Sequence, residues 1–154
     1  MKTRSREAYG EFSPDGQWVA YHSDESGGRP EIYVKKFVPP GPAGTAASAA
    51  GERPPQVSIA GGIMPVWEPH GKELYYLNPA GAMMAVPITV IGASLKAGAP
   101  GVLFPTHIYG GGVDAQQGRQ YDVARDGRFL INTVLDSAPA PITLLQNWNP
   151  AVKK

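Results

Sequence analysis

One short pattern returns three times in this chain. Glu11-Phe12-Ser13-Pro14-Asp15-Gly16 leads into Trp18-Val19-Ala20-Tyr21. Val66-Trp67-Glu68-Pro69-His70-Gly71 leads into Leu74-Tyr75-Tyr76, and Asp122-Val123-Ala124-Arg125-Asp126-Gly127 into Phe129-Leu130-Ile131. The glycines are spaced by 55 and 56 residues. Self-similarity on that scale means stacked or radially arranged units, each unable to bury its apolar face alone. The turn is chemically reasoned. Pro14 presets φ for a tight turn, Asp15 bonds its own backbone, and Gly16 can take positive φ. The second copy keeps Pro69 and Gly71 but replaces Asp with His70. The third keeps Asp126-Gly127 and loses Pro. Each copy retains enough to fold the chain back as a hairpin.

The runs after the turns, WVAY, LYYL and FLI, are almost continuously apolar, as in strands buried on both faces. Nineteen glycines and sixteen prolines in 154 residues disfavour helices. An all-β chain follows. Its units are 9–60, 65–104 and 120–148. The first holds strands at Tyr9–Phe12, Trp18–Ser23, Glu31–Phe37 and Gln56–Ala60. The second holds Pro65–Trp67, Glu73–Asn78, Ala82–Thr89 and Val102–Phe104. The third holds Gln120–Val123, Arg128–Val134 and Ile142–Trp148, with no fourth strand. Four-stranded sheets stacked about an axis describe a partial β-propeller of about three antiparallel blades, the last lacking its fourth strand. The low-complexity stretch 39–55 reads as a flexible excursion in the first unit. The Gly-rich 106–120 reads as a crossing from the second unit to the third.

FSPDG, SDESGGRPEIYVKKF, ELYYLNPAGAMMAVPI, LFP, YDVARDGRFLIN and PITLLQNW together resemble the TolB-like, WD-repeat-like propeller repeats. They are similar to the C-terminal blades of bacterial propeller proteins often fused to Ser/Thr protein kinase domains. The resemblance covers nearly the whole chain. It implies a longer propeller of which this chain is the last three blades, and a non-catalytic module that binds proteins, peptides or small ligands. The alternative it implies is an accessory propeller fragment of a receptor-like kinase or a prolyl-oligopeptidase-like hydrolase. Kinase motifs are missing from this sequence: no Gly-rich phosphate loop, His-Arg-Asp loop or Asp-Phe-Gly is present.

Chemistry-bearing residues have simpler readings throughout. Ser94 in Gly92-Ala93-Ser94-Leu95-Lys96 lacks the last glycine of a nucleophile elbow and reads as a loop residue. His22, His70 and His107 are isolated, with no zinc spacing. His22 reads as a hydrogen-bonded structural residue. Asp24 and Glu25 read as a solvated hairpin, since no EF-hand pattern surrounds them. Asp15 and Asp126 read as turn residues. Gly110-Gly111-Gly112 lacks the Gly-Lys-Ser/Thr ending of a phosphate loop and reads as freedom in a crossing loop. Trp18 and Trp67 fall in the repeat frame and read as core; Trp148 reads as partly exposed. The expectation is therefore no catalytic residue, no cofactor and no metal.

A formal net charge of +1 provides no electrostatic stripe for nucleic acid. Lys2, Arg4 and Arg6, Lys35 and Lys36, and Lys153 and Lys154 read as solvated groups. With no cysteine, disulfides and thiolate sites are excluded. The opening residues lack the apolar core of a signal peptide. The uncharged run 74–95 is broken by Pro and Gly and reads as two strands and a turn, not a membrane span. The compartment is left open, with an extracytoplasmic one compatible with a longer protein. Open sheet faces lead to one further expectation, a homodimer completing a six-bladed ring.

Overall fold

The computed structural model describes residues 5–39 and 53–135. Trp148, the strand expected at Ile142–Trp148 and most of the 39–55 excursion lie outside the described residues. Ten strands are present and no helix occurs among the described residues. The first sheet is the antiparallel meander β1 (Glu7–Phe12), β2 (Trp18–Ser23) and β3 (Glu31–Lys36). The central sheet joins β4 (Ile63–Trp67), β5 (Glu73–Leu77), β6 (Ala82–Ile91), β7 (Ser94–Ala97) and β8 (Gly101–Pro105). The third sheet is β9 (Tyr121–Val123) paired with β10 (Phe129–Ile131).

The three repeated turns share one backbone pattern. The glycine N–H donates to the carbonyl three residues earlier: Gly16 to Ser13, Gly71 to Glu68, Gly127 to Ala124. All three glycines have positive φ, 69°, 73° and 82°, a region that only glycine enters freely. The side chains that brace the turns differ. Asp15 accepts from the Ser13 hydroxyl and the Gln17 amide. In the second turn Glu68 does this work, accepting from the amides of His70 and Lys72 while its other oxygen meets His70 Nδ1 at 2.6 Å. The carboxylate has moved two positions back, which is why His can stand where Asp stood. The third turn closes one residue sooner. Val123 pairs with Phe129, whereas Phe12 pairs with Val19 and Trp67 with Leu74. That shortening brings Phe129, Leu130 and Ile131 into the places of Leu74, Tyr75 and Tyr76.

The central sheet is buried on both sides. Leu74 and Tyr76 point into one core with Trp18, Ala20, Ile32 and Val34 of the first sheet. Tyr75 and Leu77 point into a second core with Tyr121, Val123, Phe129 and Ile131 of the third. Alternation of side chains along β5 thus serves two interfaces at once, and an unbroken apolar run is what such a strand requires. The first sheet follows suit less fully: Trp18 and Ala20 face the central sheet, while Tyr21 is buried on the other side and stacks on Tyr33.

Several expectations need correction. FLI is not buried on both faces: Leu130 is 76% exposed, because no described residue covers that side of the third sheet. Gln56–Ala60 is not a regular strand. It touches β3 through a bridge from Gln56 to Tyr33 and backbone bonds on either side, then is held by side chains instead. Ser94 is not a loop residue. It opens β7, joined to β6 by the two-residue loop Gly92-Ala93, with Gly92 at φ 61° as a first-position glycine in such hairpins requires. The run 74–95 accordingly holds the start of a third strand. β6 can serve both neighbours because it is ten residues long: its first half pairs with β8 and its second half overshoots β5 to pair with β7.

Candidate functional site

The first strands of the three sheets, β1, β4 and β9, lie beside one another. They are not hydrogen-bonded as a sheet. Side chains stitch their edges together. The Trp67 amide donates to Glu11 Oε1 at 3.2 Å, and the Trp67 indole N–H donates to the Glu11 carbonyl at 3.2 Å. Arg119 Nη1 reaches Glu11 Oε2 at 2.7 Å and donates to the Pro65 carbonyl at 2.8 Å. The Tyr121 hydroxyl donates to the Met64 carbonyl at 2.6 Å. Exposed strand edges carry unpaired backbone groups, and these bonds satisfy several of them without merging the sheets.

A cleft opens where these strands run into their turns. Its lining includes Glu11, Val66 and Asp122, which are the same repeat position in the three units. Trp67, His70 and Arg125 complete its character, together with Pro14 and Pro69. The volume is ≈ 470 Å³, within the range that holds small ligands or a few side chains. Burial pushes the Glu11 carboxyl above its usual range, although Arg119 and the Trp67 amide pull the other way. Glu68, on the adjoining turn, is held below its usual range: the His70 ring and the amides of Lys72 and His70 outweigh its partial burial.

A second cluster sits at the opposite end of β1. The Tyr9 hydroxyl donates to Asp114 Oδ1 at 2.9 Å, and Arg6 Nη2 meets Asp114 Oδ2 at 3.2 Å. His22 is buried beside them, its ring 5.1 Å from that of Tyr9 in an edge-on contact. Among the described residues its Nδ1 has no hydrogen-bond partner, and the ring is engaged by aromatic packing. Burial lowers the His22 pKa, which keeps the ring neutral and fits that packing.

A third cluster anchors the segment after the first sheet. Glu31 is buried and accepts from the Ser58 hydroxyl, from the Gly61 amide at 3.0 Å and from Arg29 Nε at 3.0 Å. Ser58 Oγ in turn accepts from the Ile32 amide at 2.7 Å. A shallow cavity of ≈ 550 Å³ adjoins it, lined by Gly27, Gly28, Arg29 and Gln56 among others. The chemistry of Glu31 is spent on structure.

The residues singled out from the sequence are dispersed. His70 lines the cleft, His22 belongs to the opposite end, and Ser94 stands in β7. Trp18 and Trp67 are buried in the core between the first two sheets, and Trp67 also lines the cleft. Asp24 accepts from the Arg6 amide on an exposed turn, and Asp126 braces the third turn through Arg128. No group of three or more His, Asp or Glu among the described residues is arranged to hold a metal ion. No described helix is long and apolar enough to cross a membrane. Glu11, Asp122, Arg119 and Asp114 had not been singled out. A signal for the first two was present, since both precede the aligned Phe12 and Val123 by one residue. Arg119 and Asp114 carry no such mark.

No protein-family model matches the chain, and no curated protein matches it. Fold and site together define an all-β protein of antiparallel sheets whose first strands converge on a shared cleft.

Proposed function

We propose that the chain is a section of a TolB-like β-propeller, three successive blades, acting as a non-catalytic binding module for a peptide segment of a partner protein. The observation that carries the reading is the cleft built from equivalent positions of three repeats. A binding surface assembled this way lies on the axis about which propeller blades are arranged. Its lining favours a peptide over a small apolar ligand. Asp122, Arg125 and His70 line it together with Val66, Trp67 and two prolines, so charged and apolar side chains both find a complement, while the Glu11 carboxylate is held by Trp67 and Arg119.

The test is an amide NMR titration with a library of short peptides carrying Lys, Arg, Asp or Glu beside an aromatic residue. Shifts are expected at Val66, His70, Asp122 and Arg125, with the β6–β7 hairpin undisturbed. Shifts confined to other surfaces, or turnover of a hydrolase or kinase substrate, would overturn the reading.

The same geometry gives a seat for a further sheet. Ala20 and Tyr75 face the following sheet in the first and second units, and Leu130 is the equivalent residue in the third. Val19 and Tyr21 take the places that Leu74, Tyr76, Phe129 and Ile131 use toward a preceding sheet. The occupant proposed for the Leu130 face is the first sheet of a second copy, continuing the interfaces already formed. Light scattering is expected to show a dimer that Leu130→Glu converts to monomer. A wild-type monomer would rule out the second copy.

A further inference from the structure

The Gly-rich segment is more than a crossing between sheets. In the first two units the inner strand carries a bulge. Two residues, Tyr9-Gly10 and Met64-Pro65, stand opposite one on the neighbouring strand. Tyr9 and Met64 both have positive φ, 55° and 54°, and sit at the same repeat position. In the third unit Ile108 pairs with Thr133 and Tyr121 with Ile131. Ile108 therefore takes the place of Glu7 and Gly62, Tyr121 that of Gly10 and Pro65, and the whole of 109–120 stands where the other units have two residues. The third sheet begins before the crossing, not after it at 120 as the repeat alone implies.

The inserted segment runs across all three units at this end. Its roots, Ile108 and Tyr121, are buried in the second core. Its glycines lie against the turn between β5 and β6. A Cβ on Gly112 would stand 2.0 Å from the Asn78 carbonyl oxygen and 2.5 Å from Pro79 Cα. Gly111 lies under Gly81, where a Cβ would come within 3.2 Å. Gly112 supplies close backbone approach, while Gly110 and Gly111 stand at φ 79° and 59°, the conformational freedom expected of a glycine run. Past them, Asp114 reaches the first unit and closes on Tyr9 and Arg6.

The geometry points to a latched strap. Residues 109–119 close the bulge end of the groove between the inner strands, Asp114 is the latch on Tyr9 and Arg6, and the turn end is left as the open mouth. The latch residue on the first unit, Tyr9, is itself the bulge residue, so an irregularity in one inner strand receives the expanded irregularity of another. As a statement about access to the cleft, the proposal rests on the binding reading above; as a statement about the latch, it stands alone.

Asp114→Ala removes both contacts and also the acceptor of the Gln116 amide, which is therefore left out of the exchange comparison, and Tyr9→Phe removes only the hydroxyl. Amide hydrogen exchange across 110–118 is expected to accelerate roughly tenfold or more in Asp114→Ala, and less in Tyr9→Phe, because hydrogen bonds to a charged group are what is lost. Exchange in β5 should stay as in the wild type. A soluble nitroxide should then broaden the His22 and Tyr9 ring signals several-fold more than in the wild type, with His70 and Asp122 unaffected. Unchanged exchange in the strap in both variants would overturn the latch. Faster exchange without new access to His22 would overturn closure of that end. Neither readout needs a ligand, so failure here leaves the peptide-binding reading standing, and failure of the peptide titration leaves the latch standing.

Discussion

Trp67→Ala is expected to destabilise the protein by about 3–5 kcal/mol, as truncation of a large buried aromatic does. With a urea dependence of about 2 kcal/mol per molar, the unfolding midpoint falls by roughly 2 M. A domain of this size holds roughly 5–15 kcal/mol in total, so this one side chain decides much of it. The reason lies in its position. Its ring fills the core between the first and central sheets, against Trp18, Val34 and Ile88 among others. Its indole N–H satisfies the Glu11 carbonyl, and its own amide is satisfied by the Glu11 carboxylate. Truncation opens a cavity and orphans an acceptor on the edge of β1 together. Trp67→Phe separates the two effects: it keeps most of the volume and loses the indole bond, so it should cost far less. A midpoint in Trp67→Ala within error of the wild type would mean that the two sheets do not depend on this core.

Glu31→Ala should cost on the order of 3 kcal/mol, from a different mechanism. The carboxylate is buried at the start of β3 and accepts from three partners, Ser58, Gly61 and Arg29. Its removal strands the Gly61 amide and the Ser58 hydroxyl in a place water hardly reaches. The segment 56–61 has no strand ladder to fall back on, since Gln56 alone bridges to β3. The loss should therefore be uneven. Hydrogen exchange is expected to show 57–62 opening first, with β5 protected until global unfolding. Glu31→Gln, which keeps an acceptor oxygen, should recover part of the loss. Uniform exchange across the molecule in Glu31→Ala would show that Glu31 does not hold this segment separately.

Burial also marks the tyrosines of the central strand. Tyr75 and Tyr76 are pushed up to about 12 by desolvation, each with a nearby carboxylate adding to it. Tyr121, whose hydroxyl is given to the Met64 carbonyl, is raised well above its ordinary value by burial. Their hydroxyls stay neutral: Tyr75 donates to Glu73 Oε2 at 3.0 Å and Tyr121 to the Met64 carbonyl.

Much of the sheet layout was legible in the sequence, because its signals are local. A glycine one to three residues past a carboxylate or proline fixes a turn through φ, and all three turns form. The apolar run Leu74-Tyr75-Tyr76-Leu77 announced a strand covered on both sides, and it is. Phe129-Leu130-Ile131 announced the same and is not. A hydrophobic run states what a strand can bury, while the neighbour that buries it comes from elsewhere in the molecule. Ser94 was misread because a two-residue Gly-Ala turn leaves little local mark, and pairing with the far half of β6 is what makes a strand of Leu95 and Lys96.

The repeat, its hairpins and the strand-rich character are written locally, since they depend on backbone φ, side-chain period and turn chemistry within about ten residues. Long-range packing set the rest. It turned a glycine-rich stretch into a strap, because only the register of Ile108 against Thr133 shows that 109–120 is inserted within a strand. It also brought Glu11, Val66 and Asp122 to one cleft. Those residues are separated by 55 and 56 positions, and no local interaction links them. They meet because the two buried faces of β5 hold the first and third sheets on either side of the second.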